Sequence, residues 1–574
     1  MHFFNKALSP KTLQKIYQEV TPFLIMFILV VLFLNTILFN PIKFPLDSYY
    51  HFSRIHNLSG NFLQFLYPQN FLSLGQIGVA SNVFYPSLGL QLIVNFFPFI
   101  HNSLLLYKIV LLMINFLLAA IFYSILHFKL RAQPTIAAIL SLLWSGSVFS
   151  LFNIAEATAA IGIPLIVYGL FNHNEKNSYK CIAIGLSISW SSHILLSTII
   201  SLFVFVYLLI CFFTNKTSKK FVFLSSFKAI FFTFLLTLGT LLPLIYISTT
   251  NKIKMPNMGY YQFQTWYITV QSFFTETKLI VTVLVLLFII ATIILIRDIF
   301  LGQILSLILA IFGTSAVTWE PFLKHTSLIS IQIPYRLFYY FLIICLGFTI
   351  VVFATFRKSS TNSFKKILAT FTFLAMTVIS MTLQKDNYAD IDIPGNFVVA
   401  TPGKIHHHYM TGQDGYGLDS LGAFDRASVH SSDIWYLMNY SDYVPQQALA
   451  NQNSSFMLSD TKGKHFIKHQ LKTNTGQYID THSFKASYNQ LSFVSTKDID
   501  SNTIYLPVLG YQHTNISVFI NHTKVSSSIE DGQIAVHQRI NSGDQIMIKQ
   551  YMPIWEILPF IVVLATLVFL FLLR

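Results

Sequence analysis

The sequence predicts a polytopic α-helical membrane protein of about 12 spans, with a β-rich domain outside the membrane just before the last span. Three observations carry that expectation. Hydrophobic residues make up 54% of the 574-residue chain and charged residues 10%, against roughly 25% charged in ordinary soluble chains. Long apolar runs recur, separated by short loops that alternate in basic content. One long polar segment, Lys385–Met552, breaks the pattern before a final apolar run. A soluble fold must cover itself with polar groups, so the composition excludes one, and disorder, a coiled coil and a disulfide scaffold fall with it.

The elements follow in order. The first run, Thr21–Phe39, trails an amphipathic start carrying Lys6, Lys11 and Lys15. No small-residue cleavage site precedes Pro41, so the run is read as an uncleaved start-transfer span. Further runs lie at Ser103–Phe128, Pro134–Phe152, Ala157–Phe171, Cys181–Ser192, Ile194–Phe213, Phe221–Ile247, Leu279–Ile296, Ile299–Thr318, Tyr335–Phe356, Ile367–Leu383 and Pro553–Leu573. Basic residues at Lys129/Arg131, Lys176/Lys180, Lys216/Lys219/Lys220, Arg297, Arg357 to Lys366, and Arg574 fall in alternate loops. Placing them inside puts both termini in the cytoplasm. Ser87–Ile100 is apolar but short, and counting it as a span would turn every later basic loop outward. It is therefore read as an interfacial or re-entrant helix on the outer face.

This topology divides the chain into a plasma-membrane domain, 1–384, with a first outer loop at 40–102, an extracellular β-rich domain at 385–552, and a last span at 553–574. The extracellular segment holds 15 acidic and 12 basic residues, whereas the remainder holds 25 basic and 8 acidic. Basic residues in short loops between apolar runs fit anionic headgroups, not nucleic acid. Four short alternating stretches, Thr503–Leu509, Asn515–Asn521, Gln533–Gln538 and Gln545–Tyr551, predict a small β-sandwich resting on the last span. Cys181, Cys211 and Cys345 all fall in apolar runs and imply no disulfide framework.

An ionisable residue in or beside a bilayer is unfavourable, so its position carries information. Asp47, Glu156, Glu276, Glu320, Glu556, His193 and Arg336 are all expected at the outer edge, so an active site would open outward. In FPLDSYYHFSRIHNL a helix puts Asp47 on one face with Tyr50 and His51, and Arg54 follows one turn later. That set suits a general base or a phosphate clamp, and equally a helix N-cap with ordinary surface pairs. Glu156 in FNIAEATAAIGIP sits at a span boundary and is either functional or simply solvated. His193 in SWSSHILLS is either a site residue or a turn residue satisfied by a backbone carbonyl. Arg336 in SIQIPYRLFYY suits a bidentate phosphate contact or snorkelling to headgroups, and Gln332 of the same stretch is grouped with it as substrate-binding. His406-His407-His408 lacks the i, i+4 spacing of a zinc site and is expected in a polar loop. No phosphate-binding glycine loop, dinucleotide fingerprint or C-x-x-C pair is present.

DSYYHFSRIHNL, FYPSLGLQL, EATAAIGIPLIVYGL, SHILLS and SIQIPYRL occur in an order that resembles bacterial membrane proteins labelled "6-pyruvoyl-tetrahydropterin synthase-related" and the similar YfhO-like proteins. YLPVLGYQHTNISVFINHTKV, GDQIMIKQY and the last span resemble the carboxyl ends of those chains. The label carries no pterin chemistry, since no soluble synthase pattern is present. The group resembles GT-C glycosyltransferases, which move sugar from a polyprenyl-phosphate carrier to an acceptor outside the membrane. The resemblance implies a GT-C-like fold, a lipid-linked sugar donor and a cell-envelope polymer acceptor. It makes Asp47 the catalytic base. His193 or Arg336 would then stabilise the departing phosphate, a role that rests on their expected position and not on a matching motif, and His51, Arg54, Glu156 and Gln332 are grouped with them as substrate-binding. The loop lacks the D-x-D or paired acids of metal-using members, so the cofactor stays unknown and a divalent ion remains open. A transporter or flippase of a lipid-linked intermediate and a non-catalytic envelope-assembly protein are the competing expectations.

Overall fold

The computed structural model describes residues 10–34, 48–72, 76–214, 219–253, 276–296, 300–313, 335–359, 395–401, 404–410, 436–438, 443–448, 464–467 and 469–572. The chain is mostly helical, with a β-sheet domain near its carboxyl end. The helices are α1 (Pro10–Phe33), α2 (Ser48–Leu58), α3 (Leu88–Val94), α4 (Ser103–Ser124), α5 (Pro134–Leu151), α6 (Ile154–Ala160), α7 (Ile163–Phe171), α8 (Ser178–Trp190), α9 (Ile194–Thr214), α10 (Lys219–Thr250), α11 (Glu276–Ile296), α12 (Leu301–Gly313), α13 (Tyr335–Ser359) and α14 (Ile554–Leu572).

Among the described residues, seven helical stretches are long and apolar enough to cross a bilayer: Leu105–Lys129, Pro134–Leu151, Ile154–Phe171, Ile194–Thr214, Lys219–Thr250, Arg336–Thr355 and Ile554–Leu572. Glu19–Leu32, Ile280–Ile293 and Leu301–Phe312 are shorter apolar helices, and the expected run Ile367–Leu383 lies outside the described residues. The expected run Cys181–Ser192 is the 13-residue α8, about 20 Å of helix, which alone does not cover a hydrocarbon core of roughly 30 Å. The expected run at Ala157 starts three residues earlier, at Ile154, and breaks between α6 and α7 ahead of Pro164, whose ring cannot continue an unbroken hydrogen-bond ladder.

Helix α13 is the hub of the bundle and packs against α5, α7, α11 and α12. Its own Tyr340 is fully buried, as are Trp144 of α5 and Tyr107 and Tyr123 of α4. Without water between helices, association rests on close packing, and small residues permit it. At the α7–α8 crossing a Cβ on Gly162 would lie 2.1 Å from the Gly185 carbonyl oxygen, and one on Gly185 would lie 2.6 Å from that of Gly162. Nothing larger than glycine fits there without the helices moving apart. Helix α10 packs on α14 and α8 and leaves Phe223, Phe227 and Phe234 exposed, as lipid-facing positions require.

The Ser87–Ile100 segment contains only the seven-residue α3, too short to cross a bilayer. It packs on α2, α4 and α6 and exposes Leu92, Phe96 and Phe99.

Strands β1 (Gly395–Thr401), β2 (Lys404–Met410) and β3 (Tyr436–Met438) form a small antiparallel sheet in the order β2-β1-β3. The His406-His407-His408 run therefore lies in strand β2, paired with Val399, Val398 and Phe397 of β1, and not in a loop. The β domain proper comprises β4 (Leu471–Thr473), β5 (Tyr478–Ile479), β6 (Thr481–Ser487), β7 (Gln490–Ser495), β8 (Ile504–Leu509), β9 (Ile516–Ile520), β10 (Thr523–Val525), β11 (Ser527–Glu530), β12 (Gln533–Val536) and β13 (Gln545–Gln550). They form two five-stranded antiparallel sheets, β10-β9-β13-β7-β6 and β11-β12-β8-β4-β5. Phe493, Val518 and Ile548 of one sheet share a buried core with Leu506, Val508 and Ile534 of the other, as in a sandwich. The four expected strands are β8, β9, β12 and β13; the sandwich is larger than four strands because it also takes in residues 471–495 and the short β10 and β11.

The sandwich does not hang free of the helices. The Ile77 carbonyl accepts from the Leu509 N–H at 2.8 Å, Gln69 Nε2 donates to the Leu509 carbonyl at 2.9 Å, and Phe71 is buried in the sandwich core. Gln64 Nε2 donates to the Tyr488 carbonyl at 2.9 Å. On the other side Trp555 of α14 donates to the His513 carbonyl at 3.1 Å. The loop after α2 and the ends of α10 and α14 thus form the platform on which the sandwich sits.

Candidate functional site

Helix α2 carries the site's first residues. Phe52, Ile55 and Leu58 recur at helical spacing and sink into the bundle core, which fixes the helix's rotation. Its polar residues are buried as well: His51, Ser53, Arg54, His56 and Asn57. Each needs a partner in place of water. Arg54, fully buried, donates through NH2 to the carbonyls of Tyr85 and Pro86 and to Ser87 Oγ, all at 3.0 Å. Its guanidinium also lies 5.2 Å from the Tyr85 ring centroid and 5.9 Å from that of Tyr50, within cation–π range. Among the described residues no carboxylate reaches it; carbonyl dipoles and aromatic faces hold the charge instead.

Arg54 NH1 lies 3.2 Å from His51 Nδ1. A guanidinium only donates, so Nδ1 accepts and the neutral imidazole carries its proton on Nε2. His193 arrives at the same tautomer by another route. It occupies the turn between α8 and α9, where its Nδ1 accepts the Leu196 N–H at 3.1 Å and caps α9. The partner is thus a backbone N–H and not the carbonyl expected from sequence. Nε2 of His193 again carries the proton, and it makes no hydrogen bond among the described residues. Burial pushes the His51 imidazole well below its ordinary value, with Arg54 and His193 adding to the effect. It pushes His193 down to about 4; Glu156 opposes this, and Arg336 and Arg54 reinforce it. Both rings are neutral donors at physiological pH.

The Tyr85 ring lies between them, 6.0 Å from the His51 ring and 6.2 Å from that of His193. Tyr50, at 4.9 Å, and Tyr443, at 5.7 Å, complete an aromatic wall around it. Tyr85, Tyr443 and Tyr340 were not singled out from the sequence. The FYPSLGLQL stretch was the available signal, since it supplies both Tyr85 and the acceptors for Arg54.

Glu156 is buried and not solvated. Its Oε2 accepts the Asn153 N–H at 3.1 Å while Asn153 Oδ1 accepts the Glu156 N–H at 2.9 Å, a capping box at the start of α6. Its Oε1 accepts from Tyr340 Oη at 2.5 Å, joining α6 to α13. Arg336, half-buried in the first turn of α13, is close enough to act on His193 electrostatically. Asp47 and Gln332 lie outside the described residues. The structure therefore gathers His51, Arg54, Glu156, His193 and Arg336 at the end of the bundle that bears the sandwich.

The chemistry follows from this inventory. Arg54 and Arg336 bring two positive charges to bear on His193 against the single carboxylate of Glu156, and two neutral imidazoles offer Nε2–H donors, so the cluster suits an anion. Neither imidazole keeps an accepting nitrogen, so neither is set up as a general base. Among the described residues no three His, Cys, Asp or Glu side chains gather as a metal site. No protein-family profile matches the chain, and no curated protein does.

Buried neutral histidines give the fold a pH dependence. His56, whose Nδ1 pairs with Ser103 Oγ at 2.8 Å, is also pushed down to about 4 by burial. Unfolded, His56 and His193 take up protons below about 6.5; folded, they resist until about 4. The unfolded chain then binds more protons, so stability is full above about 6.5 and falls as pH drops toward 4. The thermal unfolding midpoint in detergent is expected to be lower at pH 5 than at pH 7.5, and less so in a His56→Asn variant. Equal midpoints at the two pH values in the wild type would contradict this.

Proposed function

We propose that the protein is a plasma-membrane glycosyltransferase of GT-C type, moving a sugar from a polyprenyl-phosphate carrier to a cell-envelope polymer on the outer face. The observation that carries the proposal is the gathering of His51, Arg54 and His193 round Tyr85, with Arg336 in electrostatic reach of His193, at one end of apolar helices. A lipid phosphate lies at headgroup level with its tail among apolar side chains, which is where such a cluster would meet it. In this reading Asp47 deprotonates the acceptor hydroxyl, and His193 Nε2–H and Arg336, with Gln332 beside them, hold the departing phosphate. Arg54 supplies fixed positive charge, and His51 lies beside it. Glu156 positions α6 against α13. A transporter keeps its polar groups near the bilayer midplane, often on broken helices, so a cluster at the helix ends favours the transferase.

Two experiments test the reading. Arg336→Lys keeps the charge but loses the bidentate fork, so affinity for a short-chain polyprenyl phosphate is expected to fall about tenfold. Equal affinity would reduce Arg336 to a headgroup anchor. Asn453→Cys should be labelled in intact cells by a membrane-impermeant maleimide, because 385–552 is proposed to be extracellular. Labelling only after permeabilisation would invert the topology and remove the mechanism with it.

A further inference from the structure

Tyr443 comes from outside both the bundle and the sandwich strands, yet its ring reaches the site. Distant parts of the chain fix residues 443–448 in place. Tyr511 Oη, fully buried, donates to the Tyr443 carbonyl at 2.9 Å. Gln446 N–H donates to the Lys252 carbonyl at 2.8 Å, just beyond α10, and Pro445 pairs with Ile253 as an isolated bridge. Strand β3 lies against α2 a few residues upstream. So held, the Tyr443 ring stacks on Phe84 at 4.9 Å and 16° and stands edge-on to Tyr85 at 5.7 Å and 87°.

Its backbone has φ +67°, in the left-handed region that a bulky side chain enters unfavourably and that glycine or asparagine enters readily. A tyrosine there runs against the local backbone preference, and the contacts of residues 443–448 with Tyr511, Lys252 and Ile253 hold it so. The ring extends the wall made by Tyr50 and Tyr85, and that wall adjoins His193, whose Nε2–H is a donor without a protein partner among the described residues. An anion donor group beside an aromatic wall matches the two parts of a sugar phosphate. Aromatic faces pack on the C–H faces of a pyranose, and N–H donors take the phosphate oxygens.

We propose that Tyr443 contacts the sugar of the lipid-linked donor, so that the segment outside the membrane completes the binding site. The inference rests on the transferase reading and assigns its sugar subsite to the wall of Tyr50, Tyr85 and Tyr443. The test measures binding of geranyl phosphate and of its glucosyl, galactosyl, mannosyl and N-acetylglucosaminyl esters to the full chain in detergent. The wild type should bind at least one ester more tightly than the bare phosphate. Tyr443→Ala should lose that increment, roughly five- to tenfold, while its affinity for geranyl phosphate stays within about twofold. Tyr443→Phe should keep most of the increment. Tyr443→Asn, which suits a positive φ, should behave like the alanine variant and guards against unfolding of the segment. Equal weakening of phosphate and ester in both variants would leave Tyr443 a packing residue and overturn the inference alone, as would a wild type that prefers no ester. A wild type that binds neither phosphate nor ester would overturn the transferase reading, and the inference with it.

Discussion

Asp47→Asn is expected to reduce sugar transfer by about 10²–10⁴-fold, the usual contribution of an acid–base group, while the protein remains folded and inserted. Asparagine nearly matches aspartate in size and still caps a helix, so a purely structural Asp47 predicts little change in either property. Asparagine cannot take a proton from an acceptor hydroxyl. The state of the neighbouring groups sharpens the contrast, because His51 and His193 have their Nδ1 atoms engaged and Glu156 is committed to a capping box and to Tyr340. On the proposed transferase reading the base then comes from elsewhere, and Asp47, one residue ahead of α2, is the acid the resemblance assigns. Near-normal sugar incorporation by a well-folded Asp47→Asn variant would remove it from catalysis.

Glu156→Ala is expected to destabilise the protein by about 2–4 kcal/mol, read as a lowered unfolding midpoint in detergent. The variant loses the reciprocal half of the capping box with Asn153 and removes the acceptor for Tyr340 Oη between α6 and α13. Glu156→Gln keeps an accepting oxygen and a capping-box side chain, so it should retain most of the stability and most of the activity. A Gln variant that is stable yet inactive would return Glu156 to the chemistry. An Ala variant as stable as the wild type would show that the α6–α13 contact does not depend on it.

One rule, that ionisable side chains beside a bilayer need a reason, made much of the site legible in the sequence. It selected Glu156, His193 and Arg336, and the DSYYHFSRIHNL stretch added His51 and Arg54. What it could not give was their roles. The role of Glu156 was written in Asn153-Ile154-Ala155-Glu156, a capping-box spacing that is visible without a structure. The tautomer of His193 depends on a backbone N–H three residues on, which only the fold supplies. The aromatic wall was hidden for a statistical reason: with 56 Phe and 28 Tyr, no single tyrosine stands out. Tyr443 reaches Tyr85 from more than 350 positions away, through a turn that no local pattern announces. In the sandwich, β8, β9, β12 and β13 alternate cleanly or run apolar and were read. Strands β4 and β5 are three and two residues long, and β6 is half-exposed without alternation, so a period of two has nothing to act on there.

The central claim is chemical: a glycosyl–phosphate bond is broken outside the membrane and the sugar passes to a polymer. The most direct measurement places the purified protein in liposomes with a polyprenyl-phosphate sugar, radiolabelled in the sugar, and isolated envelope polymer as acceptor. The account predicts that label appears covalently on the polymer, with free polyprenyl phosphate released in equal amount. Label that crosses the bilayer still attached to its lipid, with no polymer labelled, would contradict it and make the protein a carrier of the intermediate.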